Sequence, residues 1–191
     1  MSESLDQNFW EKRYQSGETG WDLNEVSIPH KSYIDQLEGN QKILIPGCGF
    51  GHEYSYLIEK GFEDTYVVDI ATQPLEALKA KFPEFESNII QSDIYDFNDQ
   101  FDLILEQTLF CAIDPELRSK YVEKMASLLR TGGKLVGVLF NFPLTEKGPP
   151  FGGSKEEYLS LFEPYFNIEI LDICYNSSGD RPEYFIKMIK K

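Results

Sequence analysis

The stretch Ile43-Leu44-Ile45-Pro46-Gly47-Cys48-Gly49-Phe50-Gly51-His52-Glu53 restricts the possible folds more than any other part of the chain. Ile43 to Ile45 has the apolar, β-branched character of a buried strand. Glycines then recur at alternate positions, and residues 53–61 read as a helix. A strand, a glycine turn and a helix in that order make a ligand cradle. The turn lets a ligand lie against bare backbone. The helix start directs unpaired N–H groups and the positive end of its dipole at that ligand. A dinucleotide fingerprint needs a small residue three places after the second glycine. His52 occupies that place here, so the spacing disfavours a nicotinamide oxidoreductase. A glycine-rich turn without any ligand is the plain alternative.

The next strand favours the ligand. Thr65-Tyr66-Val67-Val68-Asp69-Ile70 ends on an acidic residue. In a doubly wound fold that end lies beside the first glycine turn, where a carboxylate can accept both hydroxyl hydrogens of a ribose. The competing role for Asp69 is a cap on the following helix. Residues 74–82 read as that helix, and residues 87–90 as a short third strand. Asp93 and Ile94 follow it. Asp93 can accept from an adenine amino group while Ile94 packs on the ring face; a plain turn Asp is the alternative. The G-x-G-x-G spacing resembles motif I of S-adenosylmethionine-dependent methyltransferases.

Charge narrows the partners. The net charge of −14 over 191 residues opposes a phosphate backbone or an anionic membrane surface. It does not oppose S-adenosylmethionine, which is cationic. No run approaches the ~18 apolar residues of a membrane span. The polar start Met1-Ser2-Glu3-Ser4-Leu5-Asp6 does not read as a secretory signal. Cys48, Cys111 and Cys174 are an odd count without metal-ligand spacing. They point to a reducing cytoplasm and against a disulfide framework or a zinc site.

Both tryptophans, Trp10 and Trp21, lie before the first strand, with Tyr14 between them. They read as core packing or as a flap over a cationic ligand. Residues 29–37 read as a short helix leading into the first strand. Residues 101–106 form an almost wholly apolar fourth strand, as a central parallel strand should be. Asp114-Pro115 opens a helix that runs to Leu129 and stops at Gly132-Gly133. Residues 134–140 are the fifth strand. The loop at 141–153 is long enough to be a lid or binding loop. Ser154-Lys155-Glu156-Glu157 reads as a capping box. Residues 168–175 and 183–189 close the chain as a hairpin. The predicted fold is α/β and Rossmann-like: a seven-stranded, mostly parallel sheet with one antiparallel strand and helices on both faces.

Beyond the glycine turn, the chain resembles the thiopurine S-methyltransferase family, including its plant halide/thiol branch, over nearly its whole length. The resemblance rests on Trp10 with Gly17 to Trp21, Pro46 to Glu53, Asp69, Asp93-Ile94, Phe110-Cys111-Ala112-Ile113-Asp114-Pro115 with Arg118, and Gly148-Pro149-Pro150-Phe151. It implies a class I methyltransferase domain over 1–191, with residues 1–38 as an aromatic flap and 141–153 as a substrate-side loop. It also implies S-adenosylmethionine contacts at Trp10, Tyr14, Trp21, Gly47, Gly49, Gly51, Asp69, Asp93, Ile94 and Gln107. Apolar groups such as Phe110 and Phe151 would shape a small, dry acceptor pocket, with plain core packing as the alternative. Mammalian thiopurine enzymes carry Arg where this chain has Gln107, and the halide/thiol branch is the nearer one. Glu106-Gln107-Thr108-Leu109 stands where amino-group methyltransferases carry Asn/Asp-Pro-Pro-aromatic, which counts against a base or amide nitrogen.

The expected reaction is in-line transfer to a small thiol, halide or related chalcogen, by a monomer with no nucleic-acid or membrane partner. A non-catalytic cofactor-binding module, or a methyltransferase acting on another small molecule, is the alternative. No catalytic base is legible. His52 reads as the start of the helix after the glycine turn, and His30 as a flap or surface residue.

Overall fold

The computed structural model describes residues 4–191. The first three residues of the polar start, and with them the beginning of the expected flap, lie outside the described residues. The strands in chain order are β1 (Ile43–Pro46), β2 (Thr65–Asp69), β3 (Ile89–Gln91), β4 (Phe101–Gln107), β5 (Leu129–Phe140), β6 (Phe166–Ile173) and β7 (Glu183–Lys190). The helices are α1 (Gln7–Ser16), α2 (Ile28–Ile34), α3 (His52–Glu59), α4 (Thr72–Lys81), α5 (Arg118–Leu128) and α6 (Lys155–Phe162).

All seven strands join one sheet in the order β3-β2-β1-β4-β5-β7-β6. β7 pairs antiparallel with both β5 and β6, and the other ladders are parallel. The order reverses between β1 and β4, which opens a crevice at the carboxyl ends of those strands. Alternate residues of the central strands feed two cores. Leu44, Ile104 and Leu135 pack on the face covered by α5 and α6. Ile43, Ile45, Leu103 and Leu105 pack on the other face, with Tyr54 and Leu57 of α3 and Leu75 and Leu78 of α4. Burial on both sides explains why these strands read as unbroken apolar runs.

Several boundaries differ from the sequence expectation. Residues 83–88 are a 3-10 helix, so β3 begins only at Ile89. Asn88 Nδ2 donates to the Thr65 and Glu63 carbonyls and holds that turn against the start of β2. Asp114 caps a 3-10 turn, Pro115–Leu117, before α5 starts at Arg118. α5 ends at Leu128, and β5 begins at the next residue. Gly132 and Gly133 lie inside β5, where its register against β4 shifts between Phe101 and Leu103. Gly133 packs so closely there that a Cβ would sit 3.3 Å from the Asp102 carbonyl. Ser154 Oγ accepts from Glu157 N, but the Glu157 carboxylate turns to Arg118 and does not close the box. β6 starts two residues earlier than expected and leaves Tyr175 exposed. No helix among the described residues is long and apolar enough to cross a membrane.

Candidate active site

The glycine turn is held by the end of β2. Gly47 N donates to the Val68 carbonyl at 2.7 Å, and Gly49 N to Asp69 Oδ2 at 2.9 Å. Asp69 Oδ1 accepts from Ala71 N at 2.9 Å. Each carboxylate oxygen thus orients one loop and retains a second lone pair. Burial pushes the Asp69 pKa up, while the Ala71 and Gly49 donors pull the other way. Gly51 caps α3 at φ 68°, and a Cβ there would lie 2.6 Å from Leu78 Cδ1. Its lack of a side chain is needed for α3 to close on α4.

A cavity of about 1000 Å³ opens above this turn. Gly47, Asp69, Asp93 and Ile94 line its floor, all from the carboxyl side of the sheet. Trp10, Tyr14 and Trp21 line it from the N-terminal segment. Trp21 meets Trp10 and Tyr14 edge-on, with centroids 5.5 and 5.6 Å apart. Tyr14 also packs edge-on against Phe50 in the glycine turn. Burial drives the Tyr14 hydroxyl far above its ordinary pKa, so it stays neutral. α1 is tied down where Glu11 Oε1 accepts from Thr72 N at 2.6 Å.

Gly49, Gly51, Gln107, Phe110 and Phe151 are not part of the lining. Gln107 Oε1 accepts from Ser27 Oγ at 3.1 Å, beside α2. Phe110 turns into the core among Tyr121, Tyr158 and Phe162. Its neighbours Cys111 and Ala112 take the wall instead. Phe151 N donates to the Cys111 carbonyl at 2.8 Å, which brings Pro149 and Pro150 to the wall. Arg118 fastens the same loop. It is buried, donates to the Gly152 carbonyl at 2.9 Å and to Glu157 Oε1 at 2.6 Å, and stacks over Phe110.

His30 is not at the surface. It is fully buried, with Nδ1 2.7 Å from Ser27 Oγ. Burial lowers its pKa, against the raising influence of Glu53. Short helices such as α2 give weak periodicity, and the partners that bury His30 come from α3 and β4. His52 does begin α3, with Nε2 2.7 Å from Asp22 Oδ1.

Two residues escaped the sequence reading. Arg181, in the loop before β7, lines the cavity. Its Nη2 donates to the Trp21 carbonyl at 3.0 Å, while Nη1 is buried without a partner among the described residues. A lone Arg before a Pro in an expected hairpin loop gave no sign of this. Glu106 is buried under the β4 exit. Its Oε1 accepts from Leu109 N and Phe110 N, both at 2.8 Å, and Oε2 accepts from Tyr121. Burial pushes its pKa up to about 7, against those three donors.

The fold is that of methyltransferases. A 1,6-didemethyltoxoflavin N1-methyltransferase from Burkholderia thailandensis, solved with S-adenosylhomocysteine, superposes at a TM-score of 0.80 and 16% identity, covering 97% of this chain and 87% of that one. Magnesium protoporphyrin IX methyltransferase from Synechocystis PCC 6803, solved with S-adenosylmethionine, gives 0.73 and 13% over the whole of both chains. At such identities the likeness concerns the fold alone. The thiopurine S-methyltransferase family model matches residues 5–178, and the chain belongs to that family. It is an S-adenosylmethionine-dependent methyltransferase. A probable thiol methyltransferase 2 of Arabidopsis thaliana is 31% identical over 183 residues, covering 91% of this chain and 79% of that protein. Thiocyanate methyltransferase 1 of Brassica oleracea is 28% identical over 177 residues (86% and 75%). A thiopurine S-methyltransferase of Vibrio parahaemolyticus serotype O3:K6 (strain RIMD 2210633) is 26% identical over 179 residues (84% and 83%).

Proposed function

We propose that this enzyme methylates a small soft nucleophile, namely a thiol, a halide or a related chalcogen. The observation that carries the reading is Arg181. It is a partly exposed cation at the cavity wall, in a chain of net charge −14. A soft anion in the cavity is attracted by that charge. The relatives named for thiols and thiocyanate support the same acceptor class.

The residues at hand fit the cofactor. Asp69 holds the ribose hydroxyls with its remaining lone pairs. Asp93 and Ile94 take the adenine, and Gly47 leaves room for the methionine portion. Gly49 and Gly51 shape the turn, and Gln107 supports the methionine end from behind the wall. Trp10, Tyr14 and Trp21 face the sulfonium with aromatic surface, at ~0.5–2 kcal/mol for such a contact. When bound, S-adenosylmethionine supplies an already activated methyl group. What remains for the protein is to hold the nucleophile in line and exclude water, and positioning of this kind can supply ~7–11 kcal/mol of a barrier. Phe110 and Phe151 back the acceptor wall that Cys111 and Pro150 present.

Residues 1–38 act as the flap and 141–153 as the substrate-side loop of a single domain. The acidic charge disfavours a nucleic-acid or anionic-membrane partner, and the three free cysteines fit a cytoplasmic location; we read the protein as a monomer. The test is turnover with labelled cofactor against iodide, thiocyanate and a series of thiols. Methylated products are expected, and their absence across the panel would refute the acceptor class. Calorimetry on Asp69→Ala tests the cofactor site. Two charge-assisted hydrogen bonds at ~1.5–3 kcal/mol each predict at least a tenfold loss of affinity. Unchanged affinity in a folded variant rejects the assignment.

A further inference from the structure

Phe140 ends β5 and pairs directly with Glu183, the first residue of β7. Opposed residues of an antiparallel pair share a face, so Glu183 stands beside a residue of the cavity wall. It is only 4% exposed, and its Oε2 accepts from Ser177 Oγ at 2.5 Å. A second void, of about 10 Å³, is lined by Glu183 together with Thr108, Cys111 and Phe140. The last three also line the main cavity. A void of that size takes about one water, and the Glu183 carboxylate and the Thr108 hydroxyl give it polar partners.

We propose that Glu183, through a water in this void, accepts the proton of a thiol bound in the main cavity. The proposal rests on the acceptor reading above. The S–H bond breaks, and its proton passes by way of the water to the Glu183 carboxylate. The sulfur lone pair forms the new S–CH3 bond. The bond between that methyl and the sulfonium breaks with its electron pair left on sulfur, which neutralises the sulfonium. The proton leaves for solvent when Glu183 ionises again. A halide has no proton to lose and needs no such group.

Among the described residues, the charged and titratable groups facing Glu183 are Arg181 from its own loop, Cys174 just past β6, and Cys111 from the turn after β4. Burial raises the Glu183 pKa, while the Ser177 hydroxyl and Arg181 lower it. Burial also raises both cysteines, so neither competes as an anion. Glu183 is therefore a stronger base than an exposed glutamate.

The experiment compares kcat for an alkyl thiol with kcat for iodide, in the wild type and in Glu183→Gln, which keeps an acceptor for Ser177. A positioned base contributes typically ~10²–10⁴-fold, so the thiol-to-iodide ratio should fall about a hundredfold. An unchanged ratio with both acceptors active overturns this proposal and leaves the acceptor reading standing. Turnover of neither acceptor by the wild type overturns both. Carbon-13 NMR of glutamate-labelled protein without cofactor provides a readout independent of turnover. The resonance missing in Glu183→Gln should titrate above the ordinary carboxylate range, and a midpoint inside that range overturns the proposal. Should Glu183→Gln fail to fold, Ser177→Ala decides. Loss of its hydroxyl raises the Glu183 pKa, so the acid limb of the thiol profile should move to higher pH while the iodide profile stays put. A limb that does not move refutes the role.

Discussion

Glu106 makes the stability of this protein depend on pH in an uncommon direction. An exposed glutamate titrates near 4.5, and burial pushes Glu106 up to about 7. Below about pH 4 the group holds its proton in both the folded and the unfolded chain. Between the two values the folded protein retains a proton that the unfolded chain has released. Stability from this group is thus full in acid and is lost as pH rises toward 7. At about 1.4 kcal/mol per pH unit, the loss is about 3 kcal/mol. Glu106→Gln removes the titration. The amide oxygen still accepts from Leu109 N and Phe110 N, and the amide nitrogen can donate to the Tyr121 oxygen. The Tyr121 hydrogen then lacks an acceptor, at a pH-independent cost of about 1 kcal/mol. The variant should be about 1 kcal/mol less stable at pH 4.5 and about 2 kcal/mol more stable at pH 8. Urea melts at pH 4.5, 6, 7 and 8 measure this, and the variant's midpoint should pass the wild type's near pH 5 to 6. All other titrating groups cancel in the difference between the two proteins. Parallel stability curves would refute the assignment of a neutral-range pKa to Glu106.

Two further substitutions test the packing around the site. Gly137→Ala places a Cβ 2.0 Å from the Glu106 carbonyl; splitting β4 from β5 should cost more than about 3 kcal/mol, and an unchanged urea midpoint would refute the close approach. Arg118→Met leaves the Gly152 carbonyl without its donor and frees Glu157, which is partly exposed and so suffers less. The expected loss is about 2 kcal/mol, or ~4–8 °C in Tm, with faster proteolysis within 141–153; unaltered cleavage there would show that Arg118 does not hold the loop.

Legibility followed the range of the contacts involved. The glycine turn, β1 and Asp69 were readable because their geometry is set by neighbours in sequence. The Gly49 N to Asp69 bond joins two elements whose adjacency follows from the doubly wound order. The apolar run of β4 was readable for the same reason, since burial on both faces leaves a local pattern. Arg181 was not readable. Its bond to the Trp21 carbonyl joins residues 160 positions apart, and no local periodicity marks it. Sequence alone puts Phe110 toward the acceptor pocket because it follows the carboxyl end of β4. The turn rotates it inward, since Glu106 accepts from its backbone N–H and Arg118 stacks on its ring. β5 starts earlier than residue 134 because Gly132-Gly133 serves a bulge within it, and paired glycines suit a bulge as well as a helix stop.

The histidines bear on where an acceptor proton can go. Ser27 Oγ lies 2.7 Å from His30 Nδ1 and 3.1 Å from Gln107 Oε1. His30 Nε2 is sealed in the interior. A second proton on His30 would create a buried cation, and burial opposes that form. His30 therefore acts as a neutral strut that orients Gln107 through Ser27. His52 is engaged with Asp22 at the start of α3. Neither imidazole lines the cavity. An acceptor that arrives as an anion meets Arg181 and needs nothing more. One that arrives as a thiol must lose its proton to a carboxylate at the β5–β7 edge. Acceptors of high pKa should thus depend on that edge far more than iodide or thiocyanate does.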